Sequence, residues 1–460
     1  MLKKSIVIAI LAIVCVMSYA QKSGVSKESD AVFKNGDRVA FVGNSITHRG
    51  YYWSYVMLYY TTRFPERAIS FFDLGISGNL AKNLVDRMQS DILVVNPTVA
   101  SVMIGMNDVA SRNKLLNVTD SIRRMNIPIA YDKYKTNCKI VYDTLRARTR
   151  KMILLTPSIY DQTAKIATQN NFGANDELYA YGELIKVTAP KYNATVVDMW
   201  AGMMAVNKAV QAKDSTATIV GKDRVHPDVT GSFVMAYQFL KDTKVPQYVS
   251  QLSIDTKLKK AIVQDNCELS ALKVGKDELR FTLFEHALPF PYHSKFEQAL
   301  NLVPFTEKFN QEKFIVKGLN LGTYKLLVDE REIGRYTANE LAKGVNLAIN
   351  ANTPQYKQAI KVMDLCIKYQ AQSSDCRDLL AWDISFGKNI DKNDVALCIE
   401  KAKEAMTKPE NSGRQQRLQT YIANKPKQKE MNEQLPIIAK EIYQVNQPVK
   451  HNYQLIKINE

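Results

Sequence analysis

Four short segments of the chain carry residue types that together could perform acyl transfer through a serine nucleophile. They are Gly43-Asn44-Ser45, Gly75-Ile76-Ser77-Gly78-Asn79, Gly105-Met106-Asn107-Asp108 and Asp223-Arg224-Val225-His226-Pro227. Serine is a weak nucleophile unless a base removes its proton, and the oxyanion formed by its attack needs N–H donors. The four segments supply a hydroxyl, candidate donors and an imidazole with a nearby carboxylate, which is a full set of parts for this chemistry.

The candidate nucleophile is Ser45, which lies where a predicted strand ends and a predicted helix begins. A serine there is exposed above a sheet and lies beside the free amides of a helix N-terminus. Taken alone, this segment is better explained by a serine that only caps the helix. The other three segments are therefore needed for the interpretation.

The candidate base is His226. The chain has five histidines: His48, His226, His286, His293 and His451. His226 has Asp223 three residues before it and a proline after it, so one short loop could hold the imidazole and fix its tautomer. An isolated Asp-x-x-His also occurs in ordinary surface loops. His48 is close to Ser45 in sequence but would lie about one turn into the helix, so we interpret it as a candidate pocket wall and not as the base.

The candidate oxyanion donors are the Ser45 and Gly78 amides and the Asn107 side chain. The Gly78 amide can approach a ligand closely because glycine has no Cβ, and Asn107 offers a side-chain N–H₂ group. Both residues follow predicted strands, and each alone could be an ordinary turn residue. Their occurrence together with Ser45 and His226 favours an oxyanion site.

The elements that must position these residues are predicted from alternating apolar and amphipathic segments. Strands are predicted at 38–42, 69–74, 97–104, 151–155 and 194–198, and helices at 52–64, 80–89, 131–148, 178–188 and 231–242. Such alternation is typical of a parallel sheet with helices on both faces. Ligands bind beyond the carboxyl ends of the strands in these sheets. The first three segments fall there, and the fourth could reach the same edge from its loop.

The four segments resemble the signature motifs of the SGNH (GDSL-type) hydrolase and esterase family. The motifs are Gly-x-Ser-Ile-Thr, Gly-Ile-Ser-Gly-Asn, Ile-Gly-x-Asn-Asp and Asp-x-x-His-Pro, within about residues 36–242. The resemblance implies an α/β fold, a flavodoxin-like three-layer α/β/α domain with a five-stranded parallel sheet. It also implies metal-independent ester hydrolysis without a cofactor. The family's signature residues would be Ser45, Gly78, Asn107 and His226, with Asp223 as the triad carboxylate. One departure is Asn44, where the family usually has aspartate.

The predicted function is a serine esterase that works through an acyl-enzyme. We expect short acyl esters as substrates, such as acetyl groups on carbohydrate, because the chain has no long apolar segment typical of a lipid-binding lid. In addition, Tyr51, Tyr52 and Trp53 could stack on a sugar, although core packing would explain these rings equally well. Two alternatives are a lipase or phospholipid esterase, and a non-catalytic carbohydrate-binding protein on the same scaffold.

The N-terminus predicts export. Lys3 and Lys4 precede an uncharged apolar run at 5–17, and Ser18-Tyr19-Ala20 supplies the small residues that a signal peptidase reads. We expect a signal peptide at 1–20 and a periplasmic or extracellular protein, without a stable membrane span after cleavage, since the run is too short for one. The formal net charge is +16, but the basic residues are spread along the chain. This distribution indicates solvated surfaces and no nucleic-acid partner.

The 460 residues predict several domains. We expect the hydrolase domain at 33–245, a small β-rich unit at 255–350 and a helical C-terminal region at 354–460. The aromatic and proline-rich segment 284–291 could be a lid, or a packing loop.

The cysteines and histidines predict little chemistry of their own. At most one disulfide is plausible after export, among Cys366, Cys376 and Cys398, and buried free thiols are the alternative. No spacing of cysteine or histidine is typical of a metal site, so we expect no metal ligand set.

Overall fold

The α/β domain is built on a parallel five-stranded sheet. The computed structural model describes residues 31–112, 120–293, 296–387 and 390–458, so the predicted signal peptide lies outside the described residues. The strands are β1 Arg38–Gly43, β2 Ser70–Gly75, β3 Val99–Met103, β4 Lys151–Leu155 and β5 Thr195–Val197. Their order across the sheet is β2-β1-β3-β4-β5, and every pair is parallel. The predicted α/β fold class is confirmed.

Helices form the outer layers of this domain. They are α1 Ser45–Arg49, α2 Tyr51–Arg63, α3 Ala81–Asp86, α4 Asp120–Arg146, α5 Ala174–Thr188, α6 Met199–Gln211 and α7 Val229–Asp242. Helices α2 and α6 both pack on α7, whereas α3 and α5 pack on α4. Strand β1, which lies between β2 and β3, is apolar and buried from Val39 to Val42, as expected for a strand covered on both faces.

Helix α6 differs from the sequence prediction, which places no helix between the fifth strand and the closing helix at 231–242. Asp198 caps its N-terminus by accepting a hydrogen bond of 3.1 Å from the Ala201 amide. Met199, Met203 and Asn207 are buried and recur every four residues, so they lie on one face of the helix. This spacing, preceded by an aspartate, is the signal by which the helix could have been predicted.

The chain beyond the α/β domain forms two further sheets, which we call the β unit (248–346 and 450–458). Its strands are β6 Tyr248–Asp255, β7 Lys260–Asp265, β8 Cys267–Val274, β9 Glu278–Glu285, β10 Gln311–Lys317, β11 Thr323–Val328, β12 Arg331–Thr337, β13 Val345–Asn346 and β14 Lys450–Ile458. One sheet has the order β13-β10-β6-β7 and the other β12-β11-β14-β9-β8. Three short helices interrupt the unit: α8 Glu297–Leu300, α9 Phe305–Phe309 and α10 Ala338–Lys343.

The last strand differs from the expectation that 354–460 is helical throughout. Strand β14 lies inside the second sheet, antiparallel to β9 on one side and β11 on the other. His451, Tyr453 and Leu455 are buried, in alternation with less buried residues. This period of two is typical of a strand, but its partner strands are more than a hundred residues away in sequence, so local patterns did not reveal the pairing.

Four helices fill the region between β13 and β14. They are α11 Pro354–Ser385, α12 Val395–Met406, α13 Gln415–Asn424 and α14 Gln428–Val445. Helix α11 begins at the Thr353 cap, packs against α2 and β2, and buries Ala359, Val362 and Met363 in the same apolar core as the parallel sheet. Among the described residues, no helix is long and apolar enough to cross a membrane.

The segment 284–291 is a packing loop and not a lid. The Leu288 amide donates a hydrogen bond of 2.9 Å to the carbonyl of Thr62 in α2. Phe290 is fully buried, with its ring 4.7 Å from that of Phe305 and 6.1 Å from that of Phe233 in α7. The segment therefore joins the β unit to the α/β domain.

The described cysteines are all free and buried. They are Cys138, Cys267, Cys366, Cys376 and Cys398. Of the two alternatives that the sequence left open, the structure has buried free thiols and no disulfide within the described part of the chain. Crosslinks thus contribute nothing to the stability of these residues, which depends on packing and hydrogen bonds.

Replacement of Leu455 tests the role of β14. Leu455 is fully buried in the second sheet, so Leu455→Ala should lower the free energy of unfolding of the β unit by about 2–5 kcal/mol. Lys450→Ala, at an exposed position of the same strand, should change it by less than about 0.5 kcal/mol. Urea denaturation measures both. Equal, small effects would mean that β14 is not an integral strand of the sheet.

Candidate active site

Ser45 lies at the first position of α1, directly beyond the carboxyl end of β1. The Asn44 side chain caps this helix by accepting a hydrogen bond of 3.1 Å from the Ile46 amide. Aspartate and asparagine serve equally well in such a cap, so the departure from the family pattern at position 44 preserves this local role. A Cβ at Gly43 would lie 2.2 Å from Thr47 Oγ1. The turn that presents Ser45 therefore requires glycine at position 43.

The loop before α7 brings an imidazole and a carboxylate to Ser45. His226 Nε2 lies 2.7 Å from Ser45 Oγ, and His226 Nδ1 lies 2.5 Å from Asp223 Oδ2. Because the ionised carboxylate can only accept, Nδ1 carries the ring proton and Nε2 is free to accept the serine proton. The structure thus places these three predicted residues in one hydrogen-bonded chain.

Asp223 remains ionised in this chain. Partial burial by itself would raise the pKa of its carboxyl group. The His226 side chain and the backbone amides of His226 and Val225 all donate to that carboxylate, and together they hold the Asp223 pKa well below its usual range. A permanent negative charge beside Nδ1 favours the imidazolium that forms when His226 accepts a proton.

The Gly78 turn and the Asn107 side chain lie at the same edge of the sheet, beyond β2 and β3. Gly78 has φ of 83°, in the left-handed region, and no atom lies within 4 Å of the position that a Cβ would occupy. Asn107 Nδ2 donates a hydrogen bond of 3.0 Å to the Asn79 carbonyl, and Arg112 Nη1 lies 3.5 Å from Asn107 Oδ1. These contacts fix which end of the amide is the donor, and they leave its second N–H available.

His48 contacts other partners than Ser45. It is 3% exposed, and its ring nitrogens lie 3.0 Å from Ser77 Oγ and 3.1 Å from the carbonyl oxygen of Ser374 in α11. Burial lowers the pKa of His48, which favours the neutral ring. His48 therefore supports the turn that leads to Gly78.

The aromatic residues after the nucleophile require a correction. Tyr52 and Trp53 are at most 1% exposed, and Trp53 stacks on Phe41 of β1 at a centroid distance of 5.8 Å. They pack in the core because they lie on the inner face of α2, so they cannot stack on a sugar. Tyr51 is 38% exposed and is the only one of the three rings available for such a contact.

Comparison with known proteins identifies the family of this chain. Residues 41–232 match the model of the GDSL-like lipase/acylhydrolase family. The chain belongs to this family. It is 25% identical over 223 residues to an acetylxylan esterase of Geobacillus stearothermophilus, an alignment that covers 45% of this chain and 94% of that protein. The solved structure of a gut microbial diltiazem-metabolizing enzyme superposes with a TM-score of 0.81 at 31% identity, and covers 93% of this chain and 98% of that one.

This acylhydrolase is an enzyme that hydrolyses esters. The similarity to the acetylxylan esterase is confined to about half of the chain, whereas the similarity to the gut microbial enzyme includes nearly all of it. The β unit and the C-terminal helices are therefore part of an architecture shared with that second protein.

Among the described residues, no group of three or more His, Cys, Asp or Glu side chains could hold a metal ion.

Arg224 is a positioning residue that the sequence analysis missed. It lies between Asp223 and His226 with φ of 66°, a conformation that side-chain-bearing residues rarely adopt. Its guanidinium donates to four carbonyls of one neighbouring loop, at 2.9–3.0 Å. They belong to Asp161, Ala164, Ile166 and Thr168. These bonds compensate the strained backbone and fix the loop that carries Asp223 and His226.

Replacement of Arg224 should misplace that pair. We expect Arg224→Ala to lower kcat by about 10–100-fold, since small displacements of catalytic groups have effects of this size. Arg67→Ala is the matched control, because Arg67 is equally buried and donates to the carbonyl of Phe33, away from the site. It should lower stability but keep kcat. Steady-state kinetics and thermal unfolding separate the two effects, and an unchanged kcat in the Arg224 variant would contradict this role.

Asp108 is a buried carboxyl beside the Asn107 donor. Its Oδ1 accepts a hydrogen bond of 2.9 Å from the Ala81 amide, and its Oδ2 has no hydrogen-bond partner among the described residues. Burial raises the pKa of Asp108 to about 7. The pKa of this carboxyl group is lower in the unfolded chain, so the folded protein binds the Asp108 proton more tightly. The folded state therefore loses stability relative to the unfolded state as the pH rises and Asp108 ionises.

The pH dependence of stability tests this property of Asp108. Between the unfolded pKa near 4 and the folded pKa near 7, the wild type should lose stability as the pH rises. Asp108→Asn keeps the acceptor for the Ala81 amide but cannot ionise. Between pH 4 and pH 8 the wild type should therefore lose up to about 4 kcal/mol relative to this variant. If the free energies of unfolding of the wild type and of Asp108→Asn differed by the same amount at every pH, the raised pKa of Asp108 would be contradicted.

Proposed function

We propose that this esterase is an exported serine enzyme that removes short acyl groups, chiefly acetyl groups, through an acyl-enzyme. The single observation that carries the proposal is the hydrogen-bonded chain from Ser45 Oγ through the His226 ring to Asp223. This chain ends at the carboxyl edge of the sheet, next to the Gly78 turn and the Asn107 amide. A nucleophile, a base and candidate oxyanion donors thus meet at one place.

Acylation begins when His226 Nε2 accepts the proton of Ser45 Oγ, which attacks the carbonyl carbon of the ester. The oxygen of that carbonyl becomes an oxyanion and accepts hydrogen bonds from the Ser45 and Gly78 amides and from Asn107 Nδ2. Asp223 stabilises the imidazolium through Nδ1. The imidazolium then donates its Nε2 proton to the leaving alcohol oxygen, the C–O bond breaks, and the acyl group remains on Ser45.

Deacylation repeats these steps with water as the nucleophile. His226 accepts a proton from the water, and the resulting hydroxide attacks the acyl carbon. The same donors bind the second oxyanion. His226 returns the proton to Ser45 Oγ as the acyl–oxygen bond breaks, which releases the carboxylic acid and restores the serine.

The similarity to an acetylxylan esterase supports the acetyl preference. The packing of segment 284–291 supports it too, because that segment does not form a lid over the site. That segment is buried against α2 and α7, so it cannot open to admit a long acyl chain. These observations disfavour a lipase or phospholipid esterase. A second candidate substrate class is small-molecule esters, because a gut microbial diltiazem-metabolizing enzyme matches nearly the full chain.

The proposed export rests on the signal-like segment at 1–20. Buried thiols are compatible with an oxidising compartment, because the thiolate is the form that reacts with oxidants. Burial raises the pKa of Cys138 and of Cys366 to about 12 and that of Cys376 to about 11. These groups therefore stay protonated after export.

Variants of the proposed triad test the mechanism. Ser45→Ala and His226→Ala should each lower kcat by several orders of magnitude, and the double variant should be little worse, because nucleophile and base act as a unit. A serine-reactive phosphonate should modify wild-type Ser45, as read by peptide mass spectrometry. Normal turnover of the His226 variant would refute its assignment as the base, and absence of labelling would refute the acyl-enzyme.

A substrate panel tests the acyl and leaving-group preference. We expect acetate release from acetylated xylo-oligosaccharides to exceed release of palmitate from p-nitrophenyl palmitate by at least about 100-fold in kcat/KM. A low-molecular-weight acetyl ester without a sugar distinguishes the two proposed classes. Faster turnover of that ester would favour small-molecule substrates, and faster turnover of palmitate would contradict the acetyl preference.

A further inference from the structure

A buried ionic cluster that the proposed mechanism does not use lies beneath the site. Asp91 accepts hydrogen bonds from two arginines, at 2.5 Å from Arg87 Nη1 and at 2.7 and 2.8 Å from the two terminal nitrogens of Arg377. All three side chains are at most 8% exposed. Burying such charges is costly unless each is fully paired and hydrogen-bonded. The hydrogen bonds that these three side chains make therefore show which parts of the backbone the cluster holds in place.

The remaining donors of both arginines bind the last backbone carbonyls of β1 and β2. Arg87 Nη2 donates to Gly43 at 3.2 Å and to Leu74 at 2.7 Å, and Arg377 Nε donates to Gly75 at 3.1 Å. Gly43 is two residues before the nucleophile Ser45, and the turn with Gly78 starts directly after Gly75. The cluster therefore fixes the two strand ends that present the Ser45 and Gly78 amides.

A third contact connects the cluster to the Asn107 donor. Arg87 Nε donates a hydrogen bond of 2.8 Å to the Asn79 side chain, and the Asn79 carbonyl accepts the hydrogen bond of 3.0 Å from Asn107 Nδ2. Asn79 is thus held on one side by Arg87 and on the other by Asn107. Every candidate oxyanion donor is one or two contacts away from the same cluster.

The partners in the cluster come from distant parts of the chain. Arg87 and Asp91 belong to the turn that follows α3, where Met88–Ile92 forms one turn of π-helix. Arg377 is in α11, which lies outside the family-matched residues 41–232. The C-terminal region consequently supplies one of the groups that hold the site.

We propose that Arg377 is a positioning residue for ester hydrolysis. Through Asp91 and Arg87 it holds the ends of β1 and β2 so that the Ser45, Gly78 and Asn107 donors face the developing oxyanion. This inference rests on the proposed serine mechanism. It assigns to α11 a part in transition-state stabilisation that the family motifs do not contain.

The charge of the cluster supports this role. Asp73 lies close by and is 4% exposed, and its Oδ2 has no partner among the described residues. Burial raises the pKa of Asp73 well above its ordinary value, which favours the neutral form. Both guanidinium groups therefore keep Asp91 as their carboxylate partner and use other N–H groups for the strand-end carbonyls.

The test compares Arg377 variants with a control on the same helix. Arg377→Met keeps much of the volume and removes every donor, while Arg377→Lys keeps the charge but not the planar fork. The control is Tyr369→Phe, because the Tyr369 hydroxyl in α11 donates a hydrogen bond of 2.6 Å to Phe71 in the same strand β2, far from its catalytic end. Both positions are buried, so both should affect stability.

With p-nitrophenyl acetate, we expect Arg377→Met to lower kcat by about 100-fold, the scale of losing an oxyanion donor. KM should change by less than about threefold, and the rate of phosphonate labelling should fall in parallel with kcat. Arg377→Lys should recover part of the loss, and Tyr369→Phe should keep the wild-type kcat. If Arg377→Met does not fold, Arg377→Lys and Asp91→Asn serve in its place.

Two outcomes separate the proposals. If wild-type Ser45 is not labelled by the phosphonate, the serine mechanism itself is wrong. If it is labelled but the folded Arg377 variants lose no more kcat than Tyr369→Phe, Arg377 has only a structural role and this inference is overturned.

Discussion

The hydrogen bond of 2.7 Å between Ser45 and His226 joins residues that are 181 positions apart in the chain. A contact of this length tolerates little displacement of either partner, so both the end of β1 and the loop before α7 must be held firmly. Strand β1 lies between β2 and β3 in a parallel sheet. Their carboxyl ends therefore meet at one edge, which places Ser45 next to the Gly78 turn and the Asn107 side chain.

The two partners of this hydrogen bond are held by different arginines, and each arginine binds backbone carbonyls. Arg224 binds four carbonyls beneath the loop of His226, and Arg87 binds the last carbonyls of β1 and β2. The planar guanidinium suits this purpose because it offers five donors in a fixed geometry. Backbone carbonyls at the strand ends and in the loop are thereby held by side-chain donors from other parts of the chain.

The packing of the molecule crosses the predicted boundaries at 245 and 354. Helix α11 contributes to the core of the parallel sheet and supplies Arg377, while segment 284–291 packs on α2 and α7. The chain then returns through β14 to complete the second sheet. The region beyond the family motifs is therefore structurally part of the enzyme, and its helix reaches the strand ends from below.

The sequence alone determined the α/β class, the five parallel strands and the four segments at the site. These features are local, because a buried strand is a short apolar run and each motif carries its chemistry within a few residues. Only the tertiary structure decided that Tyr52 and Trp53 face the core and not a ligand. Aromatic and other apolar residues occur all around helix α2, so its sequence has no polar face that would show which side is buried. It also decided the contacts of Arg224 and Arg377 and the place of β14. Those depend on which distant carbonyls and strands meet once the chain has folded, and no spacing within the sequence specifies that.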